Sequence, residues 1–178
     1  MTRPRPMPPS PDGIGEPHLN DGGKLTRHAS PISLFILTAV VSLGASGLLG
    51  RPWPEPSVQE GDARLTIEMP VTVRTGDFYE TRIRVHAHRA IDKLQIEISP
   101  ELWREVTVNS MVPAPSSESH GGDAFRFEFD ALEPDKDFLL KISTQINPRL
   151  SGSLVGPIRV LDDGRVLSET VRQLRVLP

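Results

Sequence analysis

From Arg64 to Pro178 apolar side chains recur at every second position, and this spacing constrains the chain more than any other feature. A strand sends successive side chains to opposite faces, so an apolar set with period two builds a sheet that buries one face. Leu65, Ile67 and Met69 alternate with Arg64, Thr66 and Glu68; Pro70 interrupts, and Val71 and Val73 follow. Ile83, Val85 and Ala87 stand against Arg82, Arg84, His86 and His88, and Leu94, Ile96 and Ile98 against Lys93, Gln95 and Glu97. Val106 and Val108 resume the pattern. Phe125, Phe127 and Phe129 then alternate with Arg126, Glu128 and Asp130, and Phe138, Leu140 and Ile142 make the next strand. Ile158, Val160, Val166, Val171, Leu174 and Val176 close the chain.

Turn chemistry punctuates these runs. Thr75-Gly76-Asp77 reads as a turn, and Asp162-Asp163-Gly164 as a hairpin, because Asp-Gly accepts positive φ. Ser99-Pro100-Glu101-Leu102-Trp103 reads as one capped helical turn with Pro at its first position, and Pro113 to Gly122 as a loose loop. About seven to nine short strands with no long helical period predict an all-β fold, a single antiparallel β-sandwich over 63–178.

The same region resembles the immunoglobulin-like domains of bacterial surface and envelope proteins. The likeness is carried by the Leu132-x-Pro134 corner, the Phe138-x-Leu140-x-Ile142 strand, Pro148-x-x-x-Gly152 and the final hairpin. Such domains commonly have Gly soon after the corner proline, where this chain has Asp135. The resemblance implies a non-catalytic adhesion or assembly module that needs no cofactor.

Ahead of the strands, Ala29 to Gly50 forms an uncharged run of about 22 residues, the length that crosses a roughly 30 Å hydrocarbon core as a helix. The expectation is one transmembrane helix over 31–50 acting as a signal anchor. Lys24 and Arg27 precede it, and Arg51 follows before Glu55, Glu60 and Asp62, which keeps the amino terminus in the cytoplasm. A cleaved signal peptide is the competing reading, with Ile32 to Leu43 as its apolar region and Ala45-Ser46-Gly47 as small residues for cleavage. Against it, the run continues through Leu48 and Leu49 past that site. Residues 1–30, rich in Pro and Gly, predict a disordered cytoplasmic tail, and 51–62, with Pro52, Pro54 and Pro56, a stiff linker.

Composition narrows the function. With no Cys among 178 residues, disulfides, thiolate nucleophiles and Cys-ligated metals are excluded, which suits a bacterial exported domain large enough to fold without staples. A net charge of -3 gives no basic face for nucleic acid. There is no G-x-S-x-G, phosphate-binding or dinucleotide glycine motif, and no carboxylate pair with a reason for shifted acidity, so no catalytic residues are assigned.

Two clusters have ligand chemistry. His86 and His88, at i and i+2, leave the same face of a strand and can chelate copper or zinc, with His120 as a third donor if its loop comes near. Arg82 and Arg84 continue that row and oppose a cation. Glu133, Asp135 and Asp137, with Asp130 nearby, have carboxylate oxygens for calcium but lack the spacing of an EF-hand loop. The sequence therefore predicts a single-pass bacterial inner-membrane protein presenting a sandwich outside the cytoplasm to an envelope or membrane protein. A periplasmic copper or zinc protein using His86 and His88 is the alternative. A second is a released periplasmic sandwich that binds sugar or peptidoglycan, although a chain with 5% aromatic residues is not expected to offer an aromatic platform.

Overall fold

The period-two segments become two sheets that close on a common core. A computed structural model describes residues 24–46, 55–121 and 124–178. The chain divides into two units, Met1–Leu49 and Gly50–Pro178. The second contains β1 (Glu55–Gln59), β2 (Ala63–Met69), β3 (Thr72–Arg74), β4 (Phe78–Ala87), β5 (Leu94–Ile98), β6 (Val106–Val112), β7 (Ser117–Gly121), β8 (Ala124–Phe129), β9 (Asp137–Ile146), β10 (Gly152–Asp162) and β11 (Arg165–Leu177). One sheet runs β1-β2-β4-β9-β6 and the other β3-β11-β10-β5-β8-β7. Leu65, Ile83, Val85, Leu140 and Ile142 from the first and Ile96, Ile98, Ile158, Val160 and Leu174 from the second are buried in one apolar cluster. This is a β-sandwich, as the alternation predicts.

The eleven strands among the described residues exceed the expected seven to nine. Two of the additions carry no period-two apolar signal. β1 lies inside the expected linker 51–62, where its register with β2 pairs Ser57 with Ile67 and Val58 with Thr66. Pro56 is compatible with this because an edge strand leaves one side of its backbone unpaired. β7 lies inside the expected loop 113–122, and its sequence Ser-Glu-Ser-His-Gly is polar throughout. Main-chain pairing to β8 makes it a strand. The expectation of purely antiparallel pairing also needs correction, because β3 runs parallel to β11 with Thr72 opposite Arg175 and Val73 opposite Val176. That short contact is flanked by the Arg175 N–H donating to the Val71 carbonyl at 2.8 Å and the Thr75 N–H to that of Leu177 at 2.9 Å.

β5 departs from alternation in a second way, since Gln95 (3% exposed) and Glu97 (7%) are buried along with its three apolar residues. The strand lies between β10 and β8, and long polar side chains from these neighbours cover its outer face. Gln95 donates from Nε2 to Glu128 Oε1 at 2.9 Å and accepts the Gly164 N–H at 2.9 Å, satisfying both ends of its amide. Glu97 accepts from Arg126 Nε at 2.8 Å, and Arg159 approaches at 3.9 Å.

The punctuation is as expected. Asp163 (φ 43°) and Gly164 (φ 86°) form a two-residue turn joining β10 to β11. The helical turn α2 (Pro100–Trp103) is capped by Ser99, whose hydroxyl accepts the Leu102 N–H at 3.3 Å. Asp135 adopts φ 58°, the left-handed conformation that glycine most readily supplies and Asp tolerates better than bulkier residues.

In the first unit, α1 spans Lys24–Ala45 with Pro31 inside it. It begins within the expected disordered tail 1–30 and stops short of the expected helix end at residue 50. Gly47 to Gly50, residues 1–23 and residues 51–54 lie outside the described residues. Among the described residues no helix is long and apolar enough to cross a membrane. Within its own unit α1 leaves Ile32, Leu34, Phe35, Leu37 and Val40 exposed, Phe35 to 75%.

Candidate functional site

A concavity of the sandwich, about 660 Å3, opens between β6 of one sheet and β7 of the other. Its floor is aromatic. The cap at Ser99 starts α2, and α2 ends on Trp103, which is half-buried against the inner row of β8. The Trp103 ring centroid is 5.8 Å from that of Phe125 and 5.7 Å from that of Phe127, both tilted. His120 stacks on Phe125 at 4.5 Å with 26° between the planes. Val106 and Met111 of β6 form the opposite wall.

Among the described residues Glu118 is the single Asp, Glu, Lys or Arg in the lining. Its partner across the ladder is Phe127, and His120 pairs with Phe125, so both polar residues occupy the inward row of β7. Glu118 makes no hydrogen bond or ion pair among the described residues. The lining therefore combines apolar contact area with one carboxylate and one imidazole, a composition suited to holding a ligand. No cleft was expected from the sequence. Phe125-x-Phe127 signalled an aromatic face, but Trp103 lies 22 positions earlier than Phe125 and β7 has no apolar residue to mark its inner row. Trp103, Phe125 and Phe127 are the aromatic residues of this lining, while Phe129 packs on Phe138 elsewhere in the sandwich, with ring centroids 4.8 Å apart.

The predicted metal donors are elsewhere. His86 and His88 share the outer face of the other sheet, with ring centroids 5.4 Å apart and edge to face. Each has a carboxylate neighbour: His86 Nδ1 lies 3.1 Å from Asp137 Oδ1, and His88 Nε2 lies 3.5 Å from Glu60 Oε2. Arg64 also pairs with Glu60, and together with His88 it holds that carboxyl below its ordinary range. His120, the proposed third donor, belongs to the six-stranded sheet and is not brought to this pair. Among the described residues no group of three or more His, Asp or Glu side chains is placed to hold a metal ion.

The acidic corner is likewise spread out. Asp135 forms the turn, its N–H donating to the Ala87 carbonyl at 2.8 Å, while Asp137 faces His86. Asp162 has a role absent from the sequence reading, accepting the Asp92 and Lys93 N–H groups at 3.0 and 3.1 Å and so tying the loop before β5 to the end of β10.

The architecture defines the class as a two-sheet β-sandwich. No protein-family model and no curated protein matches the chain. Among solved structures it is similar to the CARDB domain of a Pyrococcus furiosus protein crystallised with di-metal ions, at 13% identity and TM-score 0.41, covering 70% of this chain and 90% of that one. It is also similar to the sulfur carrier protein SoxY from Chlorobium limicola, at 13% identity and TM-score 0.40, covering 64% and 79%. A non-cellulosomal cohesin from Archaeoglobus fulgidus has 11% identity and TM-score 0.39, covering 62% and 88%. The class assignment rests on the strand order and register of this chain itself.

Proposed function

We propose that the protein is a membrane-anchored, non-catalytic binding module of the bacterial cell envelope. The sandwich is of the immunoglobulin-like kind and lies on the periplasmic or extracytoplasmic side, with the amino terminus in the cytoplasm. Its partner is another envelope or membrane protein, and the cleft between β6 and β7 is the binding site. The cleft carries this reading: partly exposed aromatic area bordered by few polar groups is the composition of a recognition surface. Anchoring is supported by the uncharged run Ala29 to Gly50, and by the large apolar side chains that α1 leaves uncovered in its own unit. Lys24 and Arg27 ahead of the run support the orientation.

The test is to express the full chain with a carboxyl-terminal tag in a Gram-negative host, fractionate it, measure its mass and expose spheroplasts to protease. The expected product has full mass, is in the membrane fraction, and loses its sandwich to protease added from outside. A shortened chain in the soluble periplasmic fraction would overturn the anchor in favour of a cleaved signal peptide. A sandwich protected from external protease would overturn the orientation.

A further inference from the structure

A β-sandwich has four sheet edges, and each exposes unpaired N–H and C=O groups to which a foreign strand can bind. Natural sheets blunt such edges with proline, bulges, shortness or inward-pointing charge. Here β1 carries Pro56, β3 is three residues long, and β6 is bulged where its register with β9 shifts between Val108 and Ser110. β7 has none of these three devices. It pairs with β8 without a register break from Ser117–Glu128 to Gly121–Ala124, and all five of its residues are exposed. Its one guard is Glu118, a carboxylate on the inward row beside the aromatic floor of the cleft.

A guard of this kind is selective. An apolar strand laid beside β7 would cover Glu118 without compensation, whereas a strand with a cation at the facing position would pair with it. The cleft supplies apolar surface for the flanking inward residues through Phe125, Phe127, Val108 and Met111. We propose that β7 takes up an extended segment of a partner protein as an added strand, with a lysine or arginine facing Glu118 and apolar residues on either side of it in the cleft. Main-chain pairing supplies the affinity, and the carboxylate chooses the sequence. The proposal deepens the binding-module reading by naming the class of ligand.

The probe is an acetylated, amidated, fluorescent heptapeptide with Val, Lys and Val at its second, fourth and sixth positions and Thr elsewhere. It is titrated into the full chain in mild detergent. The expected result is binding about fivefold or more tighter than that of the same peptide with Glu at its centre, a preference that Glu118→Lys reverses. A copy N-methylated throughout is expected not to bind, and hydrogen exchange is expected to slow at Ser117–Gly121. Absence of binding up to about 1 mM would overturn the proposal. So would indifference to the charge at 118, equal binding of the N-methylated copy, or protection at another edge. Self-association that buries β7 and excludes the peptide would identify a second copy of the chain as the occupant, again overturning it. These outcomes leave the fractionation result untouched, and a soluble chain that still binds the Lys peptide would sink only the anchored reading.

Discussion

Gly156 is a residue whose replacement the structure opposes. It belongs to β10 where the capped turn α2 crosses the strand, and a Cβ built on it would lie 1.8 Å from Ser99 Oγ and 3.2 Å from Leu102 Cβ. Ser99 cannot easily give way, because its hydroxyl caps α2 and its N–H donates to the Pro157 carbonyl at 3.1 Å. Gly156→Ala is expected to cost about 1–3 kcal/mol through overpacking and loss of the cap. Gly121→Ala meets nothing within 4 Å and serves as the control, expected within about 0.5 kcal/mol of the parent. Urea unfolding of both variants checks the pair, and equal midpoints would show that Ser99 moves aside at little cost. Asp135 illustrates the other kind of glycine position. The immunoglobulin-like domains that this region resembles commonly have glycine soon after the corner proline, and Asp135 here takes φ 58°, a conformation that glycine supplies most readily. The departure from glycine at that corner was legible in the sequence. The need for glycine at 156 was not, because Ser99 lies far away in sequence.

At the scale of elements, β5 shows how a central strand can bury polar residues on its outer face. Glu97 is covered by guanidinium groups that themselves remain partly in water, Arg126 at 41% and Arg159 at 34% side-chain exposure. The asymmetry sets the expected cost. Arg126→Ala leaves a buried carboxylate with only the longer contact to Arg159, and about 1–3 kcal/mol should be lost. Glu97→Ala frees two cations that already reach solvent and should cost less. Thermal or urea midpoints that rank the variants the other way would contradict this account. Glu128 gives the same face a pH dependence. Lys93, at 3.0 Å, and then Gln95 hold its carboxyl below the ordinary range. A carboxyl lowered on folding contributes stability above the unfolded value, and that contribution is lost as pH falls through the lowered one. Glu128→Gln is therefore expected to be less stable than the parent at neutral pH and to converge with it only in acid, once the lowered carboxyl has taken up its proton. A difference that persists unchanged at low pH would place the effect in packing instead of charge.

For the whole sandwich, closure depends on contacts between distant parts of its chain. β11 pairs antiparallel with β10 along most of its length and parallel with β3, so the last residues join two neighbours. Leu174 and Val176 are buried at 0% and 2% exposure. Truncation after Val171 removes both and opens that end of the sheet; the expected result is loss of cooperative unfolding, read by near-ultraviolet circular dichroism and denaturant titration. A sharp transition with the parent's midpoint would show that β3 and the end of β11 are dispensable. The sequence by itself determined the all-β class, the inward rows of β2, β4, β8 and β9, the Asp163-Gly164 hairpin and the capped turn at Ser99, because periodicity, turn conformation and capping are local. It also marked the uncharged run from Ala29 to Gly50. Only the tertiary structure decided the strands β1 and β7, the parallel join of β3 to β11, the burial of Gln95 and Glu97, and the separation of His120 from His86 and His88. It alone brought Trp103, Phe125 and Glu118 to one cleft. These features depend on main-chain pairing and on which strands become neighbours, and both join residues whose separation along the chain carries no local signal.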